Sequence, residues 1–283
     1  MAEPGLPRLR VLASGSQGNC TVLASGTPGL ERLTLIDAGL SPRRTRRLLA
    51  ESGHRPDQID DLVITHLDRD HFHQGWTLAA LAPRARVRVH RRHAAYARRV
   101  GVPPGTLAEF DGPFALRDTA DITPVRLAHD EHGVTAFRFD FNAADVRGSL
   151  GFATDLGRVT QELTDVFQGV GLLAIESNYD PSMQVASERP DFLKRRIMNG
   201  AGHLSNDEAR DAVRAIAPTQ AVVFLHLSRQ CNTPELVASM HAGSGVPVVC
   251  AEQFEPTPWI AIEPAAAPAT PPATTGQAQA RLF

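Results

Sequence analysis

Cysteine is scarce in this chain of 283 residues, and long apolar runs are missing. The three cysteines, Cys20, Cys231 and Cys250, are far apart and form no CxxC pair, which argues against a disulfide framework and indicates a reducing compartment. No uninterrupted apolar run is long enough to cross a membrane, and the first twelve residues lack the apolar core of a secretion signal. We therefore expect a cytoplasmic protein without a membrane segment.

An excess of charge of one sign is also missing. The 29 Lys and Arg residues nearly balance the 31 Asp and Glu residues, and the net charge of −2 excludes a bulk polycation. Lys194 is the only lysine, so every other basic residue is an arginine. Guanidinium groups bind phosphate better than ammonium groups because they can donate two parallel hydrogen bonds. A GC-rich genome would produce the same arginine bias without any functional consequence.

The apolar content of 42% is sufficient for a substantial core. Short apolar runs separated by turns predict strands at residues 9–13, 21–24, 33–36, 62–65, 87–89, 151–154, 172–176, 221–226 and 246–250. Helix starts are predicted by Ser41-Pro42, by the capping box of Ser205 and Glu208, and by Thr233-Pro234. This alternation predicts the α/β class or a layered α/β sandwich.

The composition changes sharply near the end of the chain. Residues 264–276 are almost entirely alanine, proline and threonine, a composition that cannot bury enough apolar surface to fold. We expect one folded domain over residues 1–263 and a disordered tail over residues 264–283.

The densest chemical signal is the segment Thr-His-Leu-Asp-Arg-Asp-His at residues 65–71. It places four potential metal ligands on a turn between a predicted strand and a helix: His66, Asp68, Asp70 and His71. Three more candidates follow, His129, Asp155 and His226, of which Asp155 and His226 lie at or just beyond the ends of predicted strands. Carboxylate and imidazole ligands suit Zn, Mn or Fe. A single one of these residues is more often structural than ligating, whereas a cluster of four on one turn favours a metal site.

With these residues the chain resembles the metallo-β-lactamase-fold hydrolases, whose usual signature is T-H-x-H-x-D-H followed by a distant His, Asp and His. More narrowly it is similar to the YycJ (WalJ) group of that superfamily. Matching stretches occur in the expected order at residues 12–20, 35–41, 129–130, 154–157, 176–180, 202–206 and 226–228. The resemblance implies a single four-layer αββα sandwich.

The resemblance also implies two adjacent divalent metal ions. The first would be bound by His66 and His129, the second by Asp70, His71 and His226, and Asp155 would bridge them. Two neighbouring ions lower the pKa of a bridging water, hold it as hydroxide and neutralise the oxygens of an in-line displacement, whether the substrate is an amide, a thioester or a phosphodiester.

Two positions depart from the family pattern. Asp68 stands where a histidine is usual; it can ligate the first metal through oxygen, which favours Mn or Fe over Zn, or the first site is weakened and sometimes empty. His73 and His132 are alternative ligands for that site. Tyr179 stands where relatives commonly carry a histidine, which argues against proton transfer there.

Residues around the ligands are assigned supporting roles. Asp37, at the end of an early strand, is expected to orient the histidine-rich turn. His203 is expected to contact phosphate or to protonate the leaving group, with helix capping or packing as the alternative. The predicted catalytic residues are Asp70, Asp155 and His203.

The arginine distribution and the family both bear on the substrate. The YycJ group is nuclease-like, and the resemblance implies 5′-to-3′ exonuclease activity on DNA. Arginines alternate with apolar residues along residues 84–90, so a strand there would turn them to one face, where they could hold a phosphate backbone. The predicted nucleic-acid contacts are Arg84, Arg86, Arg88, Arg91 and Arg92, and the alternative is a solvated surface.

The C-terminal pentapeptide, residues 279–283, resembles the Gln-x-x-Leu-Phe peptide with which bacterial replication and repair proteins bind the sliding clamp. Gln279, Leu282 and Phe283 match this pattern, although so short a match also arises by chance. The function we expect is a metal-dependent phosphodiesterase, a DNA exonuclease of replication or repair. The alternatives are hydrolysis of a small ester, thioester or cyclic phosphodiester, and a non-catalytic metal-binding accessory protein.

Overall fold

A computed structural model of the protein describes residues 5–78, 84–117, 119–129, 132–142, 148–200 and 202–264. In these residues the apolar runs form two mixed sheets of seven strands each. The first sheet contains, from edge to edge, β14 (Ile260–Ala261), β1 (Gly5–Ala13), β2 (Cys20–Gly26), β3 (Arg32–Ile36), β4 (Ile59–Val63), β5 (Arg86–His90) and β6 (Leu107–Phe110). The second contains β13 (Val248–Cys250), β12 (Ala221–Leu225), β11 (Leu172–Glu176), β10 (Gly148–Ala153), β9 (Val134–Phe141), β8 (Ala120–Leu127) and β7 (Phe114–Leu116).

Each sheet joins an antiparallel half to a parallel half. In the first sheet β3, β4, β5 and β6 are parallel to one another, and in the second β10, β11, β12 and β13 are. Parallel strands end at the same edge of a sheet, so residues that follow β3, β4, β10 and β12 can meet at one place.

Helices cover the outer faces of the two sheets. The described helices are α1 (Pro42–Ala50), α2 (Arg91–Arg99), α3 (Gln161–Phe167), α4 (Pro181–Ala186), α5 (Asp191–Met198), α6 (Asn206–Ile216) and α7 (Pro234–Met240). The predicted capping box opens α6: the Ser205 hydroxyl accepts from the Glu208 N–H, and the Glu208 carboxylate accepts from the Ser205 N–H at 2.8 Å. The predicted starts of α1, α6 and α7 are all confirmed.

Three clusters of apolar side chains fill the spaces between neighbouring layers. Leu48 and Leu49 of α1 pack on the outer face of the first sheet. Phe137 and Phe139 of β9 lie between the two sheets with Ile36 of β3. Side chains of α3, α6 and α7 form the third cluster on the outer face of the second sheet. The order helix, sheet, sheet, helix confirms the predicted four-layer αββα sandwich.

The structure differs from the sequence-based prediction in two local respects. The histidine-rich turn leads into a short 3-10 helix, Gln74–Thr77, rather than an α-helix. Residues 107–141 contain four strands, β6 to β9, that the apolar pattern did not predict. Pro264 forms an isolated bridge with Gly148, and the predicted tail beyond it, including the clamp-like peptide, lies outside the described residues.

No helix in the described part of the chain combines the length and the apolar character needed to cross a membrane.

Candidate metal centre

The predicted ligands come together where strands of both sheets end. The segment of His66 follows β4, His129 follows β8, Asp155 follows β10 and His226 follows β12. Asp155 and His226 have positive φ angles of 53° and 55°, which non-glycine residues rarely adopt. Such backbone strain persists only where the surrounding structure imposes it, and it is concentrated at functional sites.

Asp37 holds the histidine-rich turn in place. Its carboxylate, also on a residue with positive φ (59°), accepts the backbone N–H of Thr65 at 2.9 Å and lies 2.7 Å from Nδ1 of His71. All three side chains are buried. These contacts lie where an orienting role for Asp37 requires them, because Nδ1 of His71 is occupied and Nε2 is turned towards the ligand cluster.

The ligand atoms form two groups that flank one carboxylate. His66, Asp68 and His129 offer donor atoms within 4.8 Å of one another, and so do Asp70, His71 and His226. A third set of the same size joins Asp155 to His66 and His71. The structure thus brings all seven predicted ligands together, with Asp155 lying beside ligands of both groups.

The free ring nitrogens are turned towards the cluster. Nδ1 of His129 is 3.1 Å from the carbonyl of Gly202, and Nδ1 of His66 is 3.0 Å from the Thr65 hydroxyl. This leaves Nε2 of each ring for a ligand role. Nε2 of His66 lies 3.9 Å from a carboxylate oxygen of Asp68 and 3.9 Å from one of Asp155.

The surroundings of the Asp155 carboxylate indicate that these residues fit a metal ion. Both of its carboxylate oxygens are buried, and ring nitrogens of His71, His203 and His226 contact them. A buried carboxylate is costly unless positive charge compensates it, and the imidazole and carboxylate donors gathered around Asp155 are those that bind divalent ions.

Strong electrostatic coupling accompanies this burial. Burial and the neighbouring His71 hold the pKa of His66 well below its usual value. For His71 the carboxylates of Asp155 and Asp37 outweigh burial and raise its pKa well above the usual value. Burial would raise the pKa of Asp155, but His226 and His71 outweigh it and lower that pKa well below the usual range. The carboxylates and imidazole rings of the site are therefore electrostatically coupled to one another.

Glu176, at the end of β11, is a site residue that the sequence analysis did not assign. It is fully buried; one carboxylate oxygen lies 2.7 Å from Nδ1 of His203 and 3.2 Å from Nδ1 of His226, and the other accepts the Leu156 N–H at 2.7 Å. The sequence does contain a signal for Glu176, because an acidic residue directly follows the apolar run at residues 172–175.

His203 lies in the site beside Glu176. Burial would lower its pKa, but Glu176 and Asp155 outweigh burial and raise the pKa of His203 to about 10. The same balance, dominated by Asp155, raises the pKa of His226 to about 9. His203 lines the cavity above the ligands, so the structure brings this predicted catalytic residue to the cluster.

The alternative residues lie apart from the ligand atoms. The His73 ring accepts the Gly75 N–H at 2.9 Å and caps the 3-10 helix. The His132 ring packs edge-to-face against the His93 ring, with 5.8 Å between the ring centres. His132 lines a separate groove. Tyr179 is buried in a small apolar cluster, and burial raises its pKa to about 12, so its hydroxyl stays protonated there.

The five predicted nucleic-acid contacts lie on and around β5 and α2. Arginine and valine alternate in burial along β5, as predicted. Arg84 pairs with Asp60, Arg88 with Asp61 and Arg91 with Asp111. Arg91 and Arg92 line a second groove of 520 Å³, whereas Arg86 donates to the Ala85 carbonyl. None of the five lines the cavity at the ligand cluster, and their contact with nucleic acid stays a prediction.

That cavity has a volume of 1190 Å³ and opens directly onto the ligands. One wall comes from the loop after β1, and another comes from the segment between α4 and α5 together with α5 itself. Its size admits an extended substrate as well as a small molecule.

A four-layer αββα sandwich with carboxylate and imidazole ligands at its strand ends defines a hydrolase of the metallo-β-lactamase fold, which implies the use of divalent metal ions. The family described as "Beta-lactamase superfamily domain" matches residues 32–227, and the chain belongs to this family.

The chain is also similar to individual proteins of this family and to a solved structure. The chain is 29% identical over 243 residues to exodeoxyribonuclease WalJ of Streptococcus pneumoniae serotype 2 (strain D39 / NCTC 7466), covering 83% of this chain and 87% of that protein. It is 28% identical over 233 residues to exodeoxyribonuclease YycJ of Bacillus anthracis, covering 80% and 84%. The crystal structure of the metallo-β-lactamase-fold protein YhfI from Bacillus subtilis has the same fold, with a TM-score of 0.62, 13% identity and coverage of 88% and 99%. The chain is a WalJ/YycJ-like metallo-hydrolase.

Proposed function

We propose that the protein is a metal-dependent exonuclease that degrades DNA in the 5′-to-3′ direction during replication or repair. The observation that carries the proposal is the buried carboxylate of Asp155, which lies beside two groups of His and Asp side chains with metal-ligand spacing. The similarity to two proteins named exodeoxyribonucleases supports DNA as the substrate.

In this proposal His66, Asp68 and His129 would hold one ion, and Asp70, His71 and His226 would hold its neighbour. Asp155, which lies beside ligands of both groups, would be shared by the two ions. Asp68 adds an oxygen donor where the family usually supplies nitrogen, which favours Mn or Fe over Zn at the first position.

The bound ions supply a water of lowered pKa and neutralise oxygens of the phosphodiester. The protein supplies the geometry. Asp37 orients His71, and Glu176 orients His203, whose ring lies in the cavity wall. From this position His203 binds a phosphodiester oxygen and donates a proton to the leaving oxygen, while Glu176 acts as a positioning residue.

The test uses end-labelled single-stranded and double-stranded DNA and RNA, incubated with Mn²⁺, Mg²⁺ or Zn²⁺. We expect metal-dependent shortening of DNA from the 5′ end, with losses of at least about 100-fold in Asp155→Ala and His71→Ala. Equal activity in these variants, or no degradation with any metal, contradicts the proposal. Hydrolysis of small esters alone would support the alternative metallo-hydrolase.

The C-terminal peptide would connect this enzyme to replication. Gln279, Leu282 and Phe283, outside the described residues, match a clamp-binding peptide, and an Ala/Pro/Thr tether would raise its effective concentration at the clamp. Deleting residues 279–283 should abolish capture of the sliding clamp in a pull-down assay. Unchanged capture would remove this part of the proposal.

A further inference from the structure

Arg189, between α4 and α5, is held rigidly in the wall of the metal cavity. Its Nε donates to Gln230 at 2.9 Å, Nη1 to Gln184 at 3.0 Å and Nη2 to Ser228 at 2.9 Å. Three of its five N–H groups are thereby used, and two remain. The side chain is therefore preorganised for a ligand that accepts two hydrogen bonds.

The hydrogen-bond partners of Arg189 carry no charge. Its three partners are neutral amide and hydroxyl oxygens, and among the described residues no carboxylate forms an ion pair with it. Arg88 shows the contrast, since its Nε donates to Asp61 at 2.5 Å. A partly buried guanidinium that is oriented but not neutralised gains most from an anionic ligand.

Arg189 is connected to the metal ligands through Ser228. Ser228, which accepts from Arg189, lies two residues after His226 and lines the same cavity. Arg196 of α5 and Arg229 line this cavity too, together with one acidic residue of the same segment, Glu188. Three arginines against one glutamate give this part of the cavity an excess of positive charge, which suits an anionic strand.

We propose that Arg189, with Arg196 lining the same cavity, binds a phosphate of the nucleic-acid strand other than the one that is hydrolysed. This inference rests on the proposed phosphodiesterase function. A second phosphate contact would make the enzyme prefer a nucleic-acid strand to a small ester. The guanidinium keeps one N–H on each Nη atom, and these two donors can bind oxygens of a phosphate group.

The test compares thymidine dinucleotides that differ by one phosphate. The first has only the internal phosphodiester, the second carries an added 5′-phosphate and the third an added 3′-phosphate. Wild-type protein should hydrolyse one phosphorylated dinucleotide with a kcat/KM about tenfold or more above that of the first, through KM. Arg189→Gln should abolish this preference, and Arg189→Lys, which keeps the charge without the fork, should restore it in part.

Arg195→Gln is the matched control. Arg195 is exposed on the same helix as Arg196 and does not line the cavity, so this variant removes the same charge from the same region and should keep the preference. A preference that survives in Arg189→Gln, or an equal loss on all three dinucleotides, overturns the inference while leaving the proposed function intact.

A binding measurement separates the two proposals if no dinucleotide is cleaved. Fluorescence anisotropy with a labelled single-stranded oligonucleotide should then show about tenfold weaker binding for Arg189→Gln than for Arg195→Gln, and a salt dependence reduced by about 0.7 in log–log slope. That result sustains the phosphate site without the nuclease. Equal affinities of the two variants would reject it.

Discussion

Nδ1 of His71 lies 2.7 Å from Oδ2 of Asp37, and both side chains are buried. The same carboxylate accepts hydrogen bonds from the backbone and the hydroxyl of Thr65. Asp37 therefore fixes both the orientation of the His71 ring and the backbone of the turn that carries His66.

Asp37→Asn should weaken metal binding. The amide lacks the negative charge that fixes the proton on Nδ1 of His71, so we expect a loss of about 10-fold to 100-fold in metal affinity. Isothermal titration with Mn²⁺ and Zn²⁺ measures it. Asp61→Asn is the control, because Asp61 is also buried and pairs with Arg88 away from the ligands. It should lower the free energy of unfolding but leave metal affinity unchanged; equal affinity losses in both variants would contradict an orienting role.

We expect Asp68 to decide whether the first metal position is occupied. Its carboxylate lies with His66 and His129, so Asp68→Ala should reduce the bound metal from about two ions per chain to about one. Native mass spectrometry counts the ions. Asp68→His should restore two ions and shift the preference towards Zn. His73→Ala should change nothing, because His73 caps the 3-10 helix instead. Loss of an ion in His73→Ala but not in Asp68→Ala would reverse the assignment.

Gly39 allows three chain segments to meet beneath the ligands. A Cβ atom at Gly39 would lie 1.8 Å from the Asp70 carbonyl oxygen and 2.7 Å from the Asn19 nitrogen, which are themselves hydrogen-bonded at 2.7 Å. Gly39→Ala must therefore displace the turn that carries Asp70. We expect a loss of about 1–3 kcal/mol in the free energy of unfolding, together with weaker metal binding.

Gly105→Ala is the control for this substitution, since a Cβ atom there would meet nothing within 4 Å. Urea unfolding and metal titration of both variants give the comparison. If Gly39→Ala behaved as Gly105→Ala does, the close approach of the segments would not constrain the site.

Much of the site could be predicted because its residues follow apolar strands. Asp155 and His226 each come at the end of such a run, and the cluster at residues 65–71 lies on one turn. The strands of residues 120–141 escaped prediction for local reasons. Pro124 interrupts β8, and the first four residues of β9 are buried on both faces, so neither strand alternates cleanly.

Other features depend on tertiary contacts that no local pattern records. The positive φ angles of Asp37, Asp155 and His226 appear only once the strands are assembled. Arg189 lies in no strand, and its three partners come from α4 and from the loop after β12. The density of arginines pointed instead to residues 84–92, where three of the five predicted contacts pair with carboxylates.

His54 should make stability depend on pH below neutrality. Burial lowers its pKa below the ordinary value of 6.5, Glu31 opposes this shift, and Nδ1 has no hydrogen-bond partner among the described residues. The unfolded chain binds a proton near pH 6.5, whereas the folded chain resists it. The stability associated with the neutral ring is therefore complete above pH 6.5 and is lost as the pH falls towards the folded pKa.

His54→Phe removes this titration and keeps an aromatic ring against Trp259, whose ring centre is 5.3 Å from that of His54. The free energy of unfolding of the variant, relative to wild type, should therefore rise as the pH falls from about 7.5 to about 5.5. Urea unfolding at both pH values measures this difference. His90 and His241 also have lowered pKa values, but they are present in both proteins and cancel in the comparison. A difference that stays constant with pH would show that His54 titrates alike in the folded and unfolded chains.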